Sequence, residues 1–208
     1  MSVYIHKLIA QGEHQQQDFK QRVDDSMKIA KTLVAFANSS GGRLLIGIKD
    51  NGNISGIEPE EEYHMIEGAA DLYCKPPIDF THKTWRVENK IVLEITVMPS
   101  PEKPHFAKDE SGKWKAYIRK ADNNFMVNGV QIKLWKYEKK EIGEELKITN
   151  REEKLFSYLH DNQYISFRKF CNIMRQSPWK AEDTLAKLIS WDVLRMDRTE
   201  KGWQFTLN

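Results

Sequence analysis

Cysteine is scarce in this chain, with Cys74 and Cys171 the only two among 208 residues. Two isolated thiols provide neither a disulfide framework nor the ligand spacing of a zinc site. No apolar run approaches the roughly 18–20 residues that cross a membrane. The first residues lack the charged, apolar, small-residue order of a secretory signal. Charge of one sign is also missing, because 32 Lys and Arg stand against 30 Asp and Glu, a formal net charge of +2. That balance excludes a histone-like polycation, so any nucleic-acid surface must come from local patterning. No internal repeat and no low-complexity tract occurs. What is present is core material, 40% hydrophobic and 11% aromatic, which excludes a mainly disordered chain. A soluble cytoplasmic protein of one or two domains is expected, with no membrane partner.

The apolar periodicity divides the chain. Over Asp25–Asn38, Ala30, Leu33, Val34 and Ala37 recur at helical spacing. Asp24 or Asp25 is placed to cap the start, and Gly41-Gly42 to stop the end. Leu44–Ile48 reads as a short strand buried on both faces, and Asn51-Gly52 as a turn that returns the chain through Ile54 to Ile57. A helix is predicted from Pro59 to the Pro76-Pro77 stop. Strands follow at Asp79–Val87 and Lys90–Met98 with Glu88-Asn89 as their turn, and a further strand at Lys113–Arg119. Val127, Val130, Leu134 and Tyr137 suggest a helix over Asn124–Tyr137. Antiparallel hairpins mixed with helices indicate an α+β domain over residues 1–140. The Lys/Glu-rich stretch 141–147 reads as a linker. Residues 148–208 carry three helical segments and a terminal β-hairpin, the order of a winged helix.

Two groups of residues could carry chemistry. Glu13 and Asp18 precede the first helix pattern, Lys20 follows, and Asp50 ends the buried strand. Three carboxylates at one sheet end would make an oxygen-rich site for Mg²⁺ or Mn²⁺, with Lys20 meeting phosphate charge. By spacing alone the leading reading of the same residues is helix caps and turn formers. The second group is basic. Lys113, Lys115 and Arg119 share one predicted strand face with Tyr117, where cations could meet phosphate and an aromatic could stack a base. In the tail, Lys180 and Lys187 lie on the third helix, and Arg198 and Lys201 in the wing. The same helix also carries Glu182 and Asp183, which suit protein docking better than phosphate.

The run from Glu13 through Asp18-Phe19-Lys20, then Leu33 to Gly52, then Gly56-Ile57, resembles the Schlafen AlbA-like domain. Lys103-Pro104-His105 and Ala116-Tyr117-Ile118-Arg119 match that pattern too, over about residues 8–135. The resemblance implies a bacterial DNA-binding protein or transcriptional regulator with a winged-helix tail, working as a homodimer. It also implies an alternative, because a related domain of animal Schlafens cuts RNA with two Glu and one Asp. Those three would fall on Glu13, Asp18 and Asp50, with Asp18 one methylene short. The family's label as a divergent ATPase finds no phosphate-loop lysine here. The leading expectation is therefore a nucleic-acid binder, with DNA preferred over RNA and no cofactor. The alternatives are a Mg²⁺- or Mn²⁺-dependent endoribonuclease acting on structured RNA, and a protein-interaction module.

Overall fold

Burial on both faces of one strand organises the first part of the molecule. A computed structural model describes residues 2–138 and 149–208 as two compact units, Met1–Val127 and Asn128–Asn208. The first contains α1 (Ser2–Gln11), β1 (Gln17–Lys20), α2 (Ser26–Asn38), β2 (Gly42–Ile46), α3 (Pro59–Leu72) and β3 (Cys74–Lys75). It continues with β4 (Thr81–Val87), β5 (Lys90–Val97), β6 (Phe106–Lys108), β7 (Trp114–Lys115), β8 (Tyr117–Lys120) and β9 (Asn123–Met126). The fold class is mixed α+β, with open sheets and flanking helices.

The main sheet has the order β1-β2-β5-β4, with β1 parallel to β2 and the other pairs antiparallel. Side chains alternate across β2. Leu44 and Ile46 join Leu33, Val34 and Phe36 of α2 in one core, whereas Leu45 meets Ile5 and Leu8 of α1 in another. Each fully buried aliphatic side chain contributes about 1.5–3 kcal/mol, so a strand apolar on both faces is held from both sides. Asp25 caps α2, its Oδ1 accepting from the Met27 and Lys28 amides at 2.8 and 3.3 Å. Gly41, at φ +72°, ends the helix by donating its N–H to the Phe36 carbonyl. A β-carbon there would lie 2.7 Å from the Val97 carbonyl oxygen, so the position favours glycine on both counts. Glu88 and Asn89 both have positive φ, the turn that suits the β4–β5 hairpin.

Several elements differ from the sequence reading. Helix α1 is absent from it. The strand expected beyond Asn51-Gly52 reduces to a single bridge between Ile48 and Ile54. The strand expected over Lys113–Arg119 is broken at buried Ala116, so β7 pairs with β6 while β8 pairs with β9. The helix expected over Asn124–Tyr137 starts only after β9, because Asn123–Met126 pairs with β8 and the Asn128 side chain then accepts from the Gln131 amide.

The second unit contains α4 (Gly129–Glu138), α5 (Asn150–Asp161), β10 (Ile165–Ser166), α6 (Phe167–Met174), α7 (Pro178–Ser190), β11 (Leu194–Thr199) and β12 (Gly202–Leu207). Its sheet order β10-β12-β11, with α5, α6 and α7, is a winged-helix-like arrangement. Phe170, Leu185 and Phe205 are fully buried in its core. Val130 of α4 belongs to this core as well, although the sequence reading put α4 in the first domain. The 141–147 linker lies outside the described residues. No helix among the described residues is long and apolar enough to cross a membrane.

Candidate nucleic-acid interface

The parallel pairing of β1 with β2 brings Asp18 and Lys20 of the first group to one sheet edge. Asp18, 4% exposed, directs Oδ1 to the Arg119 guanidinium at 3.0 Å and Oδ2 to the Lys20 ammonium at 2.9 Å. Arg119 is equally buried and also donates to the Asn124 side chain and the Gln17 carbonyl, both at 3.2 Å. Its Nε has no hydrogen-bond partner among the described residues. Arg119 therefore does not face phosphate, as the strand alternation had suggested. It neutralises Asp18 inside the domain, with its guanidinium 5.3 Å from the Phe36 ring centroid.

Glu13 lies beside this pair and accepts from the Phe19 amide at 2.8 Å. Burial pushes its pKa up, the Phe19 N–H opposes this, Asp18 raises it further, and Lys20 pulls it down. Asp50, by contrast, is exposed in the Asn51-Gly52 turn. Both Asp18 oxygens face cations, and among the described residues no three His, Cys, Asp or Glu side chains are grouped to hold a metal ion. The donor set expected from Glu13, Asp18 and Asp50 is thus not assembled as a three-carboxylate shell.

The raised Glu13 pKa has a thermodynamic consequence. At acid pH both states are protonated and nothing is lost. As pH rises from the ordinary glutamate range through the higher folded value, the unfolded chain ionises more readily and stability falls. Glu13→Gln, which keeps an acceptor for Phe19, is expected to raise Tm at pH 7 and to leave it unchanged near pH 3. Thermal unfolding at the two pH values checks this.

The basic residues separate into distinct environments. A cleft of about 480 Å³ opens between the first turns of α2 and the β6–β8 region, with Lys28, Lys31, Lys108, Lys115 and Tyr117 on its walls. Lys28 and Lys108 are exposed, and the Lys31 ammonium stands 5.0 Å from the Tyr117 ring centroid. Two of the cleft's acids are engaged. Asp25 caps α2, and Asp109 accepts from the Ser111 and Lys113 amides while holding Lys115 at 2.6 Å. Those contacts keep Asp109 well below the usual carboxylate range, led by the Lys115 bond. Lys115 is thus occupied, Lys113 is exposed, and Glu110 is the remaining acid on the walls. The sequence reading named neither Lys28, Lys31 nor Lys108. Their only signal was the pair three apart on the polar side of α2, and Lys108 joins them only through the tertiary fold.

In the second unit, α4 covers the side of α7 that the sequence reading left outward. Lys133 donates to the Trp179 carbonyl, its ammonium lies 4.2 Å from that ring, and it faces Glu182 at 3.9 Å. Tyr137 donates to Asp183, and Lys187 pairs with Asp183 at 3.8 Å. Gly129 packs so tightly that a β-carbon would fall on the Glu182 carboxylate. Lys187 is consequently half-buried, whereas Lys180 and Lys201 are exposed. Arg198 is half-buried in the hairpin and donates to the Thr199 carbonyl. The acidic positions of α7 thus find their counter-charges within the unit.

An α+β domain with a basic cleft, followed by a winged-helix-like unit, is the class of protein these features define. The family model described as "Schlafen, AlbA_2" matches residues 13–128, more than half of the chain, and the chain belongs to that family. The family is associated with nucleic-acid binding. No curated protein matches the chain. Among solved structures, the chain is similar to the DIP2311 protein from Corynebacterium diphtheriae at 23% identity and a TM-score of 0.45. That match covers 62% of this chain and 25% of the other, so the chain spans about a quarter of that relative's length. It is also similar to the N-terminal domain of an ATP-dependent DNA helicase RecG-related protein from Nitrosomonas europaea, at 23% identity and a TM-score of 0.43. There the coverage is 57% of this chain and 86% of the other.

Proposed function

We propose that this protein binds nucleic acid through the first unit, with the lysine cleft at the start of α2 as the phosphate-contacting surface. The observation that carries the reading is the convergence of Lys28, Lys31 and Lys108 around one cleft, where Asp109 is held by Lys115 and Asp25 caps α2 with Lys28 3.9 Å from its other oxygen, leaving Glu110 as the one further acid on the walls. Exposed ammonium groups such as those of Lys28 and Lys108 exchange condensed counterions for phosphates, which gives affinity without sequence preference. A transcriptional regulator that reads duplex DNA as a homodimer would use α7 in the major groove. The α4 contacts on α7 favour phosphate binding on the first unit instead.

The test is duplex DNA affinity as a function of salt, measured by fluorescence anisotropy on the full chain. Wild type is expected to bind more weakly as salt rises. The Lys28→Ala/Lys31→Ala variant is expected to lower the slope of log affinity against log salt by about 0.9 for each contact removed. An unchanged slope and affinity in that variant would remove the cleft as the binding surface.

A further inference from the structure

Beside the cleft, the small sheet β3-β6-β7 has a face on which only Lys108 takes part in the phosphate contact proposed above. In its register, Lys75 pairs with Phe106, and Lys108 with Trp114. Cross-strand partners share a face, and so do residues two apart on one strand. Lys75, Phe106, Lys108 and Trp114 therefore stand together on the outward side, opposite buried Cys74 and Ala107. Trp114 is 41% exposed, with the Lys75 ammonium 6.0 Å from its ring centroid. Phe106 is half-buried beneath, and Lys75 and Lys108 are exposed.

An indole left partly open on a sheet, with one ammonium near its ring and a second lysine as its cross-strand neighbour, suits a planar ring carried on a polyanion. A base can stack on the open indole face while Lys75 and Lys108 meet the phosphates on either side. Lys108 also lines the neighbouring cleft, so the two surfaces share that residue. A paired base in a duplex has no free face to offer Trp114. Resting on the nucleic-acid reading above, we propose that this face binds single-stranded polynucleotide by stacking an unpaired base on Trp114.

The experiment measures anisotropy of labelled oligo-dT and oligo-rU of about 15 nucleotides, and of a duplex, on the full chain. Inorganic polyphosphate serves as a base-free competitor. Trp114→Ala is expected to weaken both single strands roughly 5- to 150-fold, the range of one lost base–aromatic stack. Trp114→Phe should lose less. Duplex affinity and polyphosphate competition should be unchanged in both variants, which also shows that they fold. A loss confined to oligo-dT or to oligo-rU supports the site and identifies which polymer it takes. Unchanged single-strand binding in Trp114→Ala, with wild-type binding intact, overturns the stacking site and leaves the cleft standing. An equal loss on duplex and polyphosphate also overturns it, since Trp114 would then act through the fold. Failure of wild type to bind any polynucleotide sinks the nucleic-acid reading itself.

Discussion

Replacing Asp18 by alanine is expected to lower the unfolding free energy of the first unit by about 3–5 kcal/mol. The change leaves the Arg119 side chain, 2% exposed, with no carboxylate and only the neutral Asn124 and Gln17 oxygens. The cost is that of a stranded buried charge, not the net worth of the pair, which desolvation largely offsets. Adding Arg119→Met to Asp18→Ala should therefore recover a large part of the loss, because the uncompensated charge disappears with it. Asp18→Asn should cost less than Asp18→Ala, since its amide oxygen still accepts from the guanidinium. Urea unfolding of the three variants checks the order. If Asp18→Ala costs under about 1 kcal/mol, the size of a surface pair, the contact is not holding the domain together.

Phe170→Ala is expected to cost about 3–5 kcal/mol in the second unit while leaving the first nearly untouched. Phe170 is fully buried among Leu155, Leu185 and Phe205, and none of these belongs to the cores of the first unit. Separate cores unfold separately when few contacts tie them. Calorimetry should show one transition moving to lower temperature and the other in place. A single transition that moves as a whole would mean that the two units unfold as one. The analogous Phe36→Ala substitution should act on the other transition, since Phe36 is fully buried in the α2–β2 core.

Helix α2, its Asp25 cap, the glycine stop and strand β2 could be read from the residues alone. Each depends on interactions within a few positions, either a side-chain oxygen reaching the second or third amide or an apolar face repeating along a helix. The β4–β5 hairpin and the order of three helices and a terminal hairpin in residues 148–208 were legible for the same reason. Helix α1 was not: it ends at left-handed Gly12 but has no acidic residue in its first turn, and its ten residues gain their order from packing on Phe19, Leu45 and Val92. Strand alternation placed Arg119 correctly in chain position and wrongly in environment. A guanidinium looks the same in sequence whether it faces water or a carboxylate 101 residues away.

The candidate surfaces divide along the same line. Sequence by itself determined that charge is balanced overall and that any binding face must be local, and it marked Tyr117 with Lys113, Lys115 and Arg119. Only the tertiary structure decided which of those cations are free. It paired Lys115 with Asp109 and buried Arg119 against Asp18. It brought Lys28 and Lys31 to Lys108, and Lys75 to Trp114. It also covered one side of α7 with α4, and so withdrew Lys187 from the solvent face on which the helical pattern had put it. Periodicity reports which side of an element is apolar, but the identity of the facing partner comes from contacts between distant segments, and those contacts decide whether a charge is spent or available.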